Sequence, residues 1–192
     1  SMNIDYLAAD GHKWMLGPEG AGIFFCRKEL VEKTHPVLIG WKSVERAQDY
    51  DHIDFTLRSD AARFECGTHN VPGLLGLKAS IDLIASVGVH QIWQRVRALT
   101  DELAGRLRER GYVVASPRRG DETSGIVSFT RPGLDAVAVA RKLKKEHRTE
   151  LAVRAGRLRC SPHFYNTPEQ IRRLLDLLAV QERAVAPRNT GL

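Results

Sequence analysis

The chain has 192 residues, 43% of them apolar and 27% charged. That is room for one domain or one and a half with a buried core, and it excludes a disordered or fibrous chain, which would carry fewer apolar groups or a repeat. The 29 basic and 23 acidic residues leave a net charge of +6, spread along the chain apart from a modest cluster at Arg141, Lys142, Lys144 and Lys145. This is a solvated face, and no nucleic-acid partner is expected from it. No apolar run approaches the roughly 20 residues of a membrane span, so no membrane partner is expected. Cys26, Cys66 and Cys160 are far apart and lack CxxC or Cys/His spacing, which points to neither a disulfide framework nor a metal site, and to a reducing, cytoplasmic compartment.

In chain order, Ser1-Met2 reads as a cloning scar. The chain then enters an apolar segment, Ile4 to Ala9, as a short strand. A loop rich in Gly and Pro runs from Asp10 to Gly22, a second strand covers Ile23 to Cys26, and a brief helix begins near Lys28. Residues 40 to 66 have weak periodicity and read as a long irregular connection. Pro72 suits a first helical turn, and Leu74, Leu75, Ile81, Leu83 and Ile84 supply an apolar stripe through Ser86. His90 to Arg110 is a long amphipathic helix ending at Gly111, a left-handed cap. Short apolar runs at Tyr112–Ala115, Ile126–Phe129, Leu151–Val153 and Leu158–Cys160 then alternate with helical patterns at Asp135–Glu146 and Pro168–Arg183. The fold class is α/β passing to α+β, with one domain over 1–88, a second over 89–186, and a frayed tail from 187 to 192.

Three stretches carry chemistry. In DGHKWMLGPEGAG, Asp10 to Gly22, Lys13 sits in a loop between two strands. A lysine there, desolvated or beside another cation, can lose its proton and attack an aldehyde; an exposed, ion-paired lysine is the plainer alternative that the residues leave open. In RFECGTHN, Arg63 to Asn70, Gly67 and Thr68 precede a helix, so their N–H groups and hydroxyl suit an anion, although Thr68 and Asn70 serve equally as caps. In RCSPHFYNTPEQ, Thr167, Pro168 and Gln170 form a capping box. Arg157, Arg159 and Ser161 share one strand face, and Leu158 and Cys160 share the other.

Asp5-Tyr6-Leu7 with GHKW and GPEGAG, then RFECGTHN, then RCSPHFYNTPEQ, together resemble the pyridoxal-phosphate-dependent class V aminotransferases of fold type I, the group that includes cysteine desulfurases and isopenicillin-epimerase-like enzymes. The resemblance implies that Lys13 forms a Schiff base with the cofactor and acts as general acid/base. It implies that His12, Gly67 and Thr68 hold the cofactor, Thr68 reaching that of a neighbouring subunit in a homodimer, and that Arg159 grips the carboxylate of an amino-acid substrate. Asp10 stands where relatives place a small or hydroxyl residue and is expected to turn away from a phosphate. Relatives that transfer persulfide carry a cysteine on a mobile loop before the arginine. Here Arg154 reaches Arg159 through four residues and Cys160 lies on the apolar face, so transamination, epimerisation or lyase chemistry is expected instead.

The family's ring-binding aspartate and stacking residue lie upstream of the lysine. The sequence therefore reads as the C-terminal half of an enzyme, the end of the large domain and the whole small domain. By itself it is expected to bind the cofactor weakly or not at all, and to leave Ile4, Leu7, Ile23 and Phe25 uncovered. An inactive dimerisation or binding module derived from that fold is the alternative.

Overall fold

Residues Tyr6–Asp10 (β1) and Gly22–Cys26 (β2) pair as an antiparallel hairpin, in register from Tyr6 opposite Cys26 to Asp10 opposite Gly22. These and all elements below come from a computed structural model that describes residues 3–185. The Ser1-Met2 opening and the tail from 187 lie outside those residues. Leu7 opposes Phe25 and Ala9 opposes Ile23 on one hairpin face, while Tyr6 and Phe24 lie on the other, and all of these large side chains are exposed. The hairpin leads into a single helical turn, Lys28–Val31 (α1).

Residues 40 to 66, expected as an irregular connection, are tied together by main-chain bonds. Val44 bridges Leu57, the Glu45 N–H donates to the Thr56 carbonyl at 2.9 Å, and the Arg58 N–H donates to the Ser43 carbonyl at 3.0 Å. A 3₁₀ turn, Ala61–Phe64, is capped by the Asp60 carboxylate, which accepts from the Ala62 N–H at 3.0 Å. No hydrophobic period accompanies such bonds, because backbone geometry sets the pairing and not an apolar face.

A 17-residue helix, Val71–Val87 (α2), follows. The chain divides into two compact units, Ser1–Ser86 and Val87–Leu192.

The second unit opens with Val89–Glu109 (α3), whose buried Ile92, Val96, Leu99, Leu103 and Leu107 recur at steps of three and four. Its end is a Schellman motif: Gly111 takes φ +78°, its N–H donates to the Arg108 carbonyl at 2.9 Å, and the Tyr112 N–H donates to the Leu107 carbonyl at 3.0 Å. Strands Val113–Val114 (β3) and Val127–Thr130 (β4) precede helix Ala136–His147 (α4), whose N-cap Asp135 accepts from the Val137 and Ala138 N–H groups. Strands Ala152–Arg154 (β5) and Arg157–Cys160 (β6) lead to Pro168–Val185 (α5). At the start of α5 the capping box closes both ways: Thr167 Oγ1 accepts from the Gln170 N–H at 3.3 Å, and Gln170 Oε1 accepts from the Thr167 N–H at 3.0 Å.

The sheet is antiparallel throughout, in the order β3-β4-β6-β5. Period-two alternation puts Val127, Phe129, Leu158 and Cys160 on one face, in a core shared with Leu99, Leu103, Leu107, Leu143, Leu175 and Leu178 of the helices. Ser128, Thr130, Arg157 and Arg159 take the other. β5 and β6 are joined by two residues only, Ala155 and Gly156, at φ +49° and +70°. Both central residues are left-handed, the turn that matches strand twist. Alanine is a poor occupant there and asparagine a better one. Ala155→Asn should therefore raise the unfolding free energy by about 0.5–1 kcal/mol, read from urea denaturation. A loss of stability would show that position 155 is not left-handed in solution.

Candidate active site

The loop between β1 and β2 is closed at its base by the Gly11 N–H donating to the Ala21 carbonyl at 2.9 Å and the Gly17 N–H donating to the Gly11 carbonyl at 2.8 Å. Inside it the Leu16 N–H donates to the Lys13 carbonyl at 3.1 Å, making a tight turn that begins at Lys13. The loop lies against α2. A Cβ on Gly11 or Gly17 would stand 3.0 or 2.8 Å from Leu77 Cδ1, and one on Gly76 would stand 3.1 Å from the Pro18 ring. Ser80 Oγ donates to the Leu16 carbonyl at 2.9 Å.

Asn70 ties the far end of the loop: its Nδ2 donates to the Gly20 carbonyl at 3.0 Å, while its Oδ1 accepts from the Gly73 N–H at 3.1 Å. The helix face turned to the loop thus sets Gly76 and Ser80 beside Leu77, and the loop's own glycines let its backbone approach that leucine. The expected apolar stripe is not the buried one: Leu74, Leu75, Ile81 and Leu83 are exposed, and Gly73 and Leu77 are buried.

Lys13 itself is 66% exposed, and its Nζ donates to Asp10 Oδ2 at 2.5 Å. Asp10 thus faces Lys13, and the Lys13 amine is not desolvated. Asp10 ends β1, three residues before Lys13, so the turn that starts at Gly11 folds the ammonium back over it. The hydrogen bond and charge of Lys13 hold the Asp10 carboxyl below the usual carboxylate range. The pair is intact above the ordinary carboxylate value and is lost as pH falls through the lowered one. His12 is exposed beside them.

Gly67 and Thr68 end the long connection that follows α1, and its packing holds them. Ser43, fully buried, accepts from the Gly40 N–H and donates to the Glu65 carbonyl, both at 3.1 Å. Gly40 lies so close to Cys66 that a Cβ would stand 1.8 Å from its carbonyl oxygen. Trp41, half exposed, packs tilted on Tyr50 with its indole nitrogen about 4.0 Å from where a Gly67 Cβ would be. Among the described residues nothing accepts from the Gly67 or Thr68 N–H groups or from the Thr68 hydroxyl. Orphan donors three and four residues before a helix suit an anion.

In the second unit, Arg159 stands on the open sheet face opposite Ser128 and Ala152, its Nε buried with no partner. A buried guanidinium nitrogen left in that state is poised for a carboxylate. Cys160 points into the core, and burial pushes its thiol up to about 12. Cys66 is the exposed cysteine. No group of three metal-ligating side chains occurs among the described residues.

Local sequence signals mark Asn70 only as a cap and leave Gly40 and Ser43 unmarked. The Asn70 bond to Gly20 spans 50 residues, which no local signal encodes. The G-x-x-S spacing of Gly40 and Ser43 can be seen in the sequence, but its meaning depends on a partner at Glu65.

The chain belongs to the class-V aminotransferase family, whose model matches residues 1–174. It is 32% identical over 189 residues to a probable cysteine desulfurase of Pyrococcus abyssi, covering 92% of this chain and 46% of that protein. It is also 32% identical over 188 residues to isopenicillin N epimerase of Streptomyces clavuligerus, covering 91% and 46%. Among solved structures, a C-DES variant with glycine covalently linked to its PLP cofactor superposes with a TM-score of 0.83 at 26% identity, covering 93% of this chain and 46% of that one. The chain spans about half the length of the curated relatives it matches, and over that span it has the fold of type I pyridoxal-phosphate enzymes. Pyridoxal phosphate is the family's cofactor. It carries a phosphate and an aldehyde, and the residues here fit both: orphan N–H and hydroxyl donors at Gly67–Thr68 and an accessible primary amine at Lys13. Asp10 is the exception, since it carries the wrong charge to face a phosphate.

Two outcomes check this geometry. Gly40→Ala should cost about 3 kcal/mol in urea denaturation, because the clash is with main chain that cannot step aside; an unchanged midpoint would show that the Gly40–Cys66 contact does not persist. Iodoacetamide at neutral pH should label Cys66 and spare Cys26 and Cys160 until the protein is denatured. Labelling of Cys160 in the native protein would contradict its burial.

Proposed function

We propose that these residues supply the lysine, phosphate and carboxylate sites of a cytoplasmic, homodimeric pyridoxal-phosphate enzyme that acts on an amino acid. The observation that carries this reading is the accessible Lys13 amine on a loop fixed to α2 through Asn70 and Ser80. When bound, the cofactor supplies an electron sink for charge developing at the substrate's α-carbon. The chain's own part is to place and move protons. Lys13 Nζ, reached from solvent, takes a proton from the α-carbon or returns one, and the face and atom to which it returns the proton separate epimerisation, transamination and elimination.

Asp10 anchors the protonated form of Lys13 between steps. Thr68 and the N–H groups beside it hold the phosphate of a neighbouring subunit's cofactor, and His12 adds a ring N–H to the phosphate of the cofactor that Lys13 itself meets. Arg159 takes the substrate carboxylate in its planar fork and so fixes the orientation of the substrate.

Several relatives are named cysteine desulfurases. Persulfide transfer is nonetheless disfavoured for this chain. The two-residue turn Ala155-Gly156 leaves no loop before Arg159 to carry a nucleophile, and the Cys160 thiol is buried and held protonated far above neutrality.

In the holoenzyme Lys13→Ala should abolish the visible absorbance of lysine-bound cofactor and lower turnover by about 10²–10⁴-fold, the range of general acid–base catalysis. Unaltered absorbance would sink the assignment. Arg159→Ala should weaken amino-acid substrates by about 2–4 kcal/mol and leave amines that lack the carboxylate nearly untouched. Equal losses for both would make Arg159 a structural residue.

A further inference from the structure

We infer that the open face of the second unit's sheet selects amino acids whose side chain carries a second acidic group, with Arg154 and Arg157 as the specificity residues. The inference rests on the reading of Arg159 as the carboxylate site.

The two-residue turn sets Arg154 and Arg157 directly opposite each other, and the strand period of two puts Arg159 on the same face as Arg157. Three guanidiniums therefore share one face of one hairpin. Among the described residues no carboxylate pairs with any of them: Arg154 donates only to the Val153 carbonyl at 2.8 Å, and Arg159 Nε is buried without an acceptor. The neighbouring strand adds Ser128 and Thr130 to that face, which are donors and not anions.

Like charges directly opposite on paired strands repel, and a single substrate carboxylate answers only one of the three cations. Some other basic residues of the same unit are matched, as Lys144 is by Glu150 at 2.8 Å and Arg172 by Glu169 at 3.2 Å, whereas here three unmatched guanidiniums share one face. A cluster left unmatched on a face that already includes the substrate-gripping arginine calls for a ligand with two anionic groups. Forked guanidiniums read carboxylate, sulfinate, sulfonate or phosphate oxygens pairwise. The short turn fixes the spacing, since it holds Arg154 and Arg157 at the hairpin's end while Arg159 lies one step of the same face further along β6. The α-carboxylate goes to Arg159 and the side-chain acid to the Arg154–Arg157 pair.

The test is titration of the holoenzyme with L-aspartate, L-cysteate and L-alanine, followed by the change in visible absorbance. Wild type should bind both acidic amino acids at least about tenfold more tightly than L-alanine. Arg157→Gln and Arg154→Gln should each remove most of that preference while leaving L-alanine within about twofold, and Arg157→Lys should keep part of it, because a point charge replaces the fork only in part. Thermal melting of Arg157→Gln should be no lower than wild type, since relief of like-charge contact does not unfold a surface hairpin. Loss of affinity for all three amino acids by the same factor in both Gln variants, or no preference in wild type, overturns the inference and leaves the Arg159 reading standing. If Arg159→Gln leaves every affinity unchanged, or the holoenzyme responds to none of the three, the reading of the carboxylate site falls and this inference with it.

Discussion

The arrangement of the first unit depends on how closely a loop backbone can approach a helix. Gly11 and Gly17 lie against Leu77, Pro18 lies against Gly76, and the two ends of the Asn70 side chain bond the loop and the helix's first turn at once. Any larger group on those surfaces would lift the loop, and Lys13 would lose a defined position relative to α2. On the rest of the helix Leu74, Leu75, Ile81 and Leu83 turn outward, while Leu77 meets the loop glycines. Main-chain hydrogen bonds are concentrated at the loop's base, while the Lys13 amine stays accessible.

The two units carry two kinds of charged surface. Around Lys13 the charges are matched locally: Asp10 sits on the ammonium and both remain in solvent. On the sheet of the second unit no carboxylate among the described residues pairs with Arg154, Arg157 or Arg159. In the proposed enzyme the first arrangement keeps a proton carrier in place between steps, and the second reads a ligand. The buried thiol of Cys160, on the opposite sheet face from the arginines, takes no part in either.

Much of this is legible in the amino-acid sequence, for identifiable reasons. The ends of α3 and α5 are written in local grammar, Gly111 as a left-handed cap and Thr167 with Gln170 as a reciprocal box, and each is satisfied within a few residues of itself. The alternation Arg157-Leu158-Arg159-Cys160 predicts which side chains share a face because strand geometry allows nothing else. The direction of Asp10 is not legible, because it depends on how a turn folds Lys13 back over it and not on residue type. The 40–66 segment is opaque because its order comes from Ser43 bonding Glu65 and Gly40 meeting Cys66, contacts between positions more than 20 apart with no periodic signature. The exposed leucines of α2 show that its helix-period pattern does not single out Leu77, the residue that meets the loop glycines.

Native-state hydrogen exchange in wild type and Asn70→Ala tests most directly whether the Lys13 loop and α2 are held as one unit. A loop and helix held together through Asn70 require that the substitution speed exchange at Gly73, which loses its acceptor, and also at Gly11 and Gly17, whose amides close the loop base. Faster exchange confined to Gly73, with Gly11 and Gly17 protected as in wild type, would show that Asn70 is only a helix cap and that the loop keeps its position without it.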